Sequence, residues 1–174
     1  MSKGHIIRER YEATAKGYDE LYRAEQFEKY FITLKRFPPH GRVLDAGCGT
    51  GLLIEYLGLN KLLSRVDEYV CLDYSRNMLD IAKGRARLYC PSKCLLIEGN
   101  VEDLPFRDNV FDLVYSFTVL DLVDDLEKAI MEFSRVSRGR VIMSLLKNLR
   151  YKDLLLEKEY KLLGTTSKDV IFYI

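Results

Sequence analysis

Short apolar runs bounded by turn-forming residues recur along the chain. They are Val43-Leu44, Tyr69-Val70-Cys71-Leu72, Cys94-Leu95-Leu96-Ile97, the stretch 110–117 around Leu113-Val114-Tyr115, and 140–146 around Val141-Ile142-Met143. Runs of this length read as strands buried on both faces. Between them apolar residues fall at helical spacing, over about 50–64, after Ser75 with Met78, Leu79, Ile81 and Ala82 on one side, and over about 124–137. Ser75 sits where an N-cap belongs. A last helix is expected over about Tyr151–Leu163, then Gly164 and a final strand over Asp169–Ile174. Alternation of this kind predicts a mostly parallel, Rossmann-like sheet covered by helices on both faces, a three-layer α-β-α sandwich. The expected count is about six strands.

Ahead of the first strand, residues 4–36 carry helical spacing, with Ile7, Tyr11, Tyr18, Leu21, Tyr22, Phe27, Tyr30, Phe31 and Leu34 among charges. Gly17 is expected to divide this region into two helices, and Pro38-Pro39-His40-Gly41 ends it. Residues 1–40 thus read as a helical N-terminal region and 41–174 as the sheet-bearing part of one structural domain.

Composition narrows the classes. At 174 residues, 48% hydrophobic and 30% charged, the chain can bury a core and is not expected to be disordered. A net charge of +1 favours neither nucleic acid nor acidic partners. No apolar run is long enough to span a membrane, and the first residues lack the apolar core of a signal peptide, so a cytoplasmic protein is expected. Cys48, Cys71, Cys90 and Cys94 contain no C-x-x-C, and His5 and His40 lie far off, so no metal site is expected. Cys90 and Cys94 are close enough in sequence to pair, but two free thiols are the default.

The chemistry gathers at Val43-Leu44-Asp45-Ala46-Gly47-Cys48-Gly49-Thr50-Gly51, followed at once by the helical Leu52-Leu53-Ile54. Glycines between strand and helix let a ligand approach bare backbone, and the amides there point outward as donors. The dinucleotide fingerprint G-x-G-x-x-G needs a glycine where Leu52 stands. Asp45, two residues before Gly47, would repel a pyrophosphate and suits a cationic or amino-bearing ligand. Asp73 closes the second strand 26 residues beyond Gly47, where an acid can accept two hydrogen bonds from a ribose diol. The Ser116-Phe117 tip, at the carboxyl end of the fourth strand, should face the same ligand.

The pattern D-x-G-x-G-x-G resembles motif I of the class I S-adenosylmethionine-dependent methyltransferases. Gly99-Asn100-Val101-Glu102-Asp103-Leu104-Pro105-Phe106 resembles their G-[DN]-x-E-x-L-P-F segment, whose amide or acid and following N–H meet the adenine edge. Residues 11–22, with the pair Tyr18-Asp19, look like the lid of the small-molecule, quinone-methylase-like branch, methyltransferase type 11. The resemblance spans about residues 11–146. It implies a class I methyltransferase fold, shortened here at the C-terminus, that binds S-adenosyl-L-methionine and releases S-adenosyl-L-homocysteine. The implied cofactor residues are Tyr18, Asp45, Gly47, Gly49, Asp73, Tyr74, Met78, Asn100, Val101 and Ser116.

The N-P-P-Y motif of amine-directed methylases is absent, and a histidine common near position 121 in relatives is here Asp121. No catalytic residue follows, with Asp121 and the lid tyrosines the nearest candidates. A small-molecule acceptor is expected. Lys83, Arg85 and Arg87, and the group Arg135, Arg138, Arg140, Lys147, Arg150 and Lys152, are either phosphate contacts of an RNA or a solvated face. A protein acceptor, a homodimer or a small activating partner also stays open. So does a non-catalytic S-adenosylmethionine-binding subunit. A nicotinamide-dependent oxidoreductase is disfavoured by Leu52 and Asp45.

Overall fold

The computed structural model describes residues 17–147 and 160–174. Five strands, β1 (Gly41–Ala46), β2 (Val66–Asp73), β3 (Cys94–Glu98), β4 (Phe111–Ser116) and β5 (Ser137–Leu146), pair in parallel. Two more, β6 (Lys161–Thr165) and β7 (Asp169–Tyr173), are antiparallel and extend the sheet beyond β5. The order is β3-β2-β1-β4-β5-β7-β6. Strand order reverses between β1 and β4, which opens a crevice at their carboxyl ends.

The strand period of two sorts side chains onto two cores. Leu44, Val70, Val114, Val141 and Met143 face α4 (Leu126–Val136), which buries Leu126, Ala129, Ile130, Phe133 and Val136. Val43, Tyr69, Cys71, Leu113, Tyr115 and Ile142 face the other side, in one core with residues of α1 (Tyr18–Arg36), α2 (Leu52–Leu59) and α3 (Arg76–Tyr89). Ser75 caps α3, its Oγ accepting from the Met78 amide at 3.3 Å. Asp125 caps α4 through the Lys128 amide at 3.0 Å.

Three expectations are corrected. The sheet has seven strands among the described residues, not six, and ends in an antiparallel hairpin. The expected helix over 151–163 conflicts with β6, which takes residues 161–163; residues 151–159 of that expectation lie outside the described residues. As an edge strand β6 pairs only with β7 and is largely exposed, so its residues carry no buried-strand pattern. The helix after the glycine turn stops at Leu59, followed by a 3₁₀ turn over Leu62–Arg65.

Gly17 precedes α1, and the helix expected before it lies outside the described residues. The buried stripe of α1 is polar as much as apolar: Gln26, Lys29, Tyr30, Thr33 and Leu34, while Leu21 and Phe31 are exposed. Among the described residues no helix is long and apolar enough to cross a membrane.

Candidate functional site

The glycine turn hangs from β2. The Gly47 and Cys48 amides both donate to the Leu72 carbonyl, at 2.7 and 3.0 Å. Two of its glycines do different work. Gly47 (φ +80) packs against Val119, whose Cγ2 would lie 2.2 Å from an added Cβ. Gly49 (φ +55) meets nothing within 4 Å and opens onto free space.

Asp73, at the tip of β2, joins this turn to α3. One carboxylate oxygen accepts from the Gly49 amide and the other from the Ser75 amide, each at 2.8 Å. The same carboxylate lines a cavity of about 190 Å³. Gly47, Gly49, Tyr74, Met78, Asn100, Val101 and Tyr18 line that cavity too, so eight of the ten predicted cofactor residues share one space. Asn100 is shaped by an Asx turn, its Oδ1 accepting from the Glu102 amide at 2.9 Å.

The other two predicted residues lie elsewhere. Ser116 is fully buried and donates to the Ala46 carbonyl at 3.0 Å, so it binds β4 to β1 and does not line the cavity. The next residue, Phe117, is the one that does. Asp45 lines a smaller adjoining cavity, which shares Tyr18, Gly47, Gly49 and Phe117 with the larger one. It accepts from the Tyr69 hydroxyl at 2.9 Å. Burial pushes its pKa up to about 7, and the Asp73 charge adds to the rise.

Phe117 stands at the tip expected to face the ligand, whereas Thr118, Val119, Leu122, Val123 and Gln26 were not anticipated. Phe117, Thr118 and Val119 form a wall with Leu122 and Val123. Gln26 lines the small cavity, where its buried Oε1 accepts no hydrogen bond. No local pattern marks Gln26, because its neighbours there include Asp45 of β1, the glycine turn and Phe117 just after β4.

Tyr18 begins α1, and a cluster of charges anchors this end of the helix. Thr50 Oγ1 donates to Asp19 at 2.6 Å. Arg85 of α3 pairs with Asp19, with Glu55 at 2.5 Å, and with the Thr50 carbonyl at 2.7 Å, while Arg23 pairs with Glu55. Asp121 accepts from the Leu146 amide at 2.9 Å and thereby ties the loop after β4 to the end of β5. All four cysteines are free thiols, and among the described residues no cluster of His, Cys, Asp and Glu could hold a metal ion.

The methyltransferase-domain family matches residues 44–143, which run from β1 to β5. A demethylmenaquinone methyltransferase of Bacillus licheniformis is 32% identical over 150 residues, covering 82% of this chain and 63% of the relative. The chain therefore spans less than two thirds of the length of that curated relative. In fold it is similar to a magnesium protoporphyrin IX methyltransferase of Synechocystis solved with S-adenosylmethionine bound, with a TM-score of 0.73 and 16% identity over 99% of this chain and 96% of that one. It is also similar to an S-adenosylmethionine-dependent methyltransferase of Aquifex aeolicus, with a TM-score of 0.74 and 16% identity over 93% and 96%. With the glycine turn, the seven-stranded sheet and the family match agreeing, the chain belongs to the methyltransferase-domain family.

Proposed function

We propose that the chain is an S-adenosyl-L-methionine-dependent methyltransferase acting on a small, largely apolar acceptor. The observation that carries this reading is the open turn at Gly49 beside Asp73 at the crevice of the sheet. The residues present fit the cofactor's parts. Asp73 offers acceptor oxygens to a ribose diol, and Asn100 with the Val101 backbone a polar edge to adenine. The small cavity suits an ammonium, because it brings the Asp45 carboxylate together with the orphaned Gln26 Oε1, two acceptors in one enclosed space. Residues 1–40 would act as the lid, with Tyr18 at the start of α1 lining the cavity.

When bound, S-adenosyl-L-methionine supplies a methyl group already activated on a sulfonium. The chain's part is to orient: holding a nucleophile in line at about 3 Å supplies much of the rate, and a base is needed only for an acceptor that must lose a proton. Asp121 is engaged with the Leu146 amide, so no base is assigned.

A small acceptor is favoured by the apolar wall of Phe117, Val119, Leu122 and Val123, and by the quinone named for the Bacillus relative. An RNA acceptor is disfavoured because three of the expected basic residues are held by acids; Arg150 and Lys152 lie outside the described residues. Arg135 pairs with Glu132 and Asp108, Arg138 with Asp112, and Arg85 with Glu55 and Asp19. With seven strands in place, no second copy or activator is required to complete the sheet. Four free thiols fit a reducing compartment, the cytoplasm.

The test is calorimetric titration with S-adenosylmethionine, S-adenosylhomocysteine and NADH, followed by radiolabelled methyl transfer to quinones, RNA and protein. Binding of the first two alone, with label entering a quinone pool, is the expected result. NADH binding would revive the oxidoreductase. Tight binding with no turnover on any pool would favour a non-catalytic subunit.

A further inference from the structure

Lys29 is the most unusual polar residue of the fold. It sits in the middle of α1 with its side chain fully buried. Its ammonium lies 3.1 Å from Asp169 at the start of β7, a carboxylate equally buried, and 3.5 Å from Glu25 one helical turn back. The shortest contact is to neither acid. It is the hydrogen bond donated to Thr118 Oγ1 at 2.5 Å.

Thr118 explains why a charge is spent there. Its backbone is left-handed, φ +62, a region that a β-branched residue enters only under constraint. Three groups supply the constraint. Gln26, one turn before Lys29, donates to the same hydroxyl at 3.0 Å, and the Thr118 amide donates to Ser144 Oγ of β5 at 2.9 Å. The residues on either side, Phe117 and Val119, line the large cavity, and Val119 is also the side chain that fills the space over Gly47. The backbone sign at Thr118 therefore decides where both walls stand. Sequence favours glycine or asparagine at such a position; here the tertiary contacts hold a threonine in it.

We propose that Lys29 is a positioning residue of the site: through Thr118 Oγ1 it holds the loop after β4 in the left-handed turn that sets Phe117 and Val119 against the glycine turn. Asp169 compensates the ammonium, which links the β6–β7 hairpin to the site wall. No contact of Lys29 with a ligand is involved. The inference rests on the methyltransferase reading only for its readout, since the binding assay uses S-adenosylmethionine.

A purely structural lysine and a positioning lysine are told apart by what rescues its loss. Lys29→Met alone strands the Asp169 charge in the core, so Lys29→Met/Asp169→Asn is the working variant. Its affinity for S-adenosylmethionine by calorimetry is expected to fall about tenfold or more. Adding Thr118→Gly to that variant should recover most of the loss, because glycine holds a positive φ without a tether. Unchanged affinity in the double variant, or a loss that Thr118→Gly leaves in place, would overturn the proposal. Should the Lys29 variants fail to fold, single substitutions at position 118 carry the same comparison. Thr118→Gly is expected to bind about tenfold more tightly than Thr118→Val, which keeps the shape and loses the hydroxyl; equal or reversed affinities would overturn it. Wild-type protein that binds no S-adenosylmethionine would instead fail the functional reading, and circular dichroism and thermal melts of the same variants would separate that case from misfolding.

Discussion

Asp45→Asn should make the protein more stable and bind its cofactor less well, and the two effects can be sized separately. Asp45 is buried, and burial raises its pKa from an ordinary 3.8 to about 7. A raised acid binds its proton more tightly in the folded state than in the unfolded one. Its stabilising share is therefore complete below about pH 4 and is lost as pH climbs through about 7. At about pH 8.5 the folded chain carries a desolvated carboxylate at a cost of about 4 kcal/mol, taking about 1.4 kcal/mol for each pH unit between the two values. Asparagine removes that cost while its carbonyl can still accept from the Tyr69 hydroxyl, the partner seen at 2.9 Å.

The assay is urea denaturation of both proteins at about pH 4.5 and about pH 8.5. The expected pattern is a difference under about 1 kcal/mol at the acid pH, growing to a gain of about 4 kcal/mol for Asp45→Asn at the alkaline one. Carboxylates remote from Asp45 are common to both proteins, so their titration cancels in the difference, and Asp73 is the neighbouring carboxylate coupled to it. Calorimetry of the same variant should show S-adenosylmethionine binding weakened tenfold or more, since the cofactor's ammonium would lose the Asp45 charge in the small cavity. A variant less stable than wild type at about pH 8.5, or a pH-independent difference, would refute the reasoning, since it would mean that the carboxylate is not desolvated in the folded chain.

The other predictions bear on the same turn. Asp73→Ala removes the acceptor of two backbone amides, from Gly49 and Ser75, and should cost about 2–4 kcal/mol in chemical denaturation together with most of the cofactor affinity; stability equal to wild type would show that those bonds contribute nothing. Gly47→Ala places a Cβ 2.2 Å from Val119 at a positive φ and should lower stability by about 1–3 kcal/mol. Gly49→Ala meets open space, so it should unfold within about 1–2 kcal/mol of wild type yet bind S-adenosylmethionine more weakly; affinity retained in a folded Gly49→Ala protein would make the turn structural only. Cys94 is the half-buried thiol of the four, and the neighbouring Cys71 and Cys90 thiols pull its pKa below that of an ordinary thiol. Mass spectrometry after brief alkylation should find Cys94 modified first, at a rate that rises less than tenfold per unit between about pH 6 and pH 8. A rate that rises tenfold per pH unit would show an ordinary thiol.

What could be read from the sequence was what local spacing enforces. The glycine turn, Asp73 at the tip of β2 and the Ser75 cap follow from residues within a few positions of one another. Four of the five parallel strands announce themselves because burial on both faces leaves continuous apolar runs; β3, an edge strand with Leu95 exposed, carries such a run without that burial. β6 escaped because an edge strand has no such obligation: Lys161 and Leu162 are exposed, and the apolar residues before Gly164 fit a helical period as well. Of the Ser116-Phe117 tip only Phe117 lines the cavity, because neighbouring residues of a strand face opposite sides.

The polar stripe of α1 is the deeper case. Lysine and glutamine at helical spacing read as a solvent face unless their partners are known, and the partner of Lys29 lies 89 residues on, at Thr118. Thr118 in turn gives no sign of a positive φ, since threonine is a poor residue for that region on its own. Each residue breaks a local rule, and only together do they satisfy each other. The wall of the site is thus specified by a pairing that no window of sequence contains, and that places its most sensitive positions outside the motif by which the family is known.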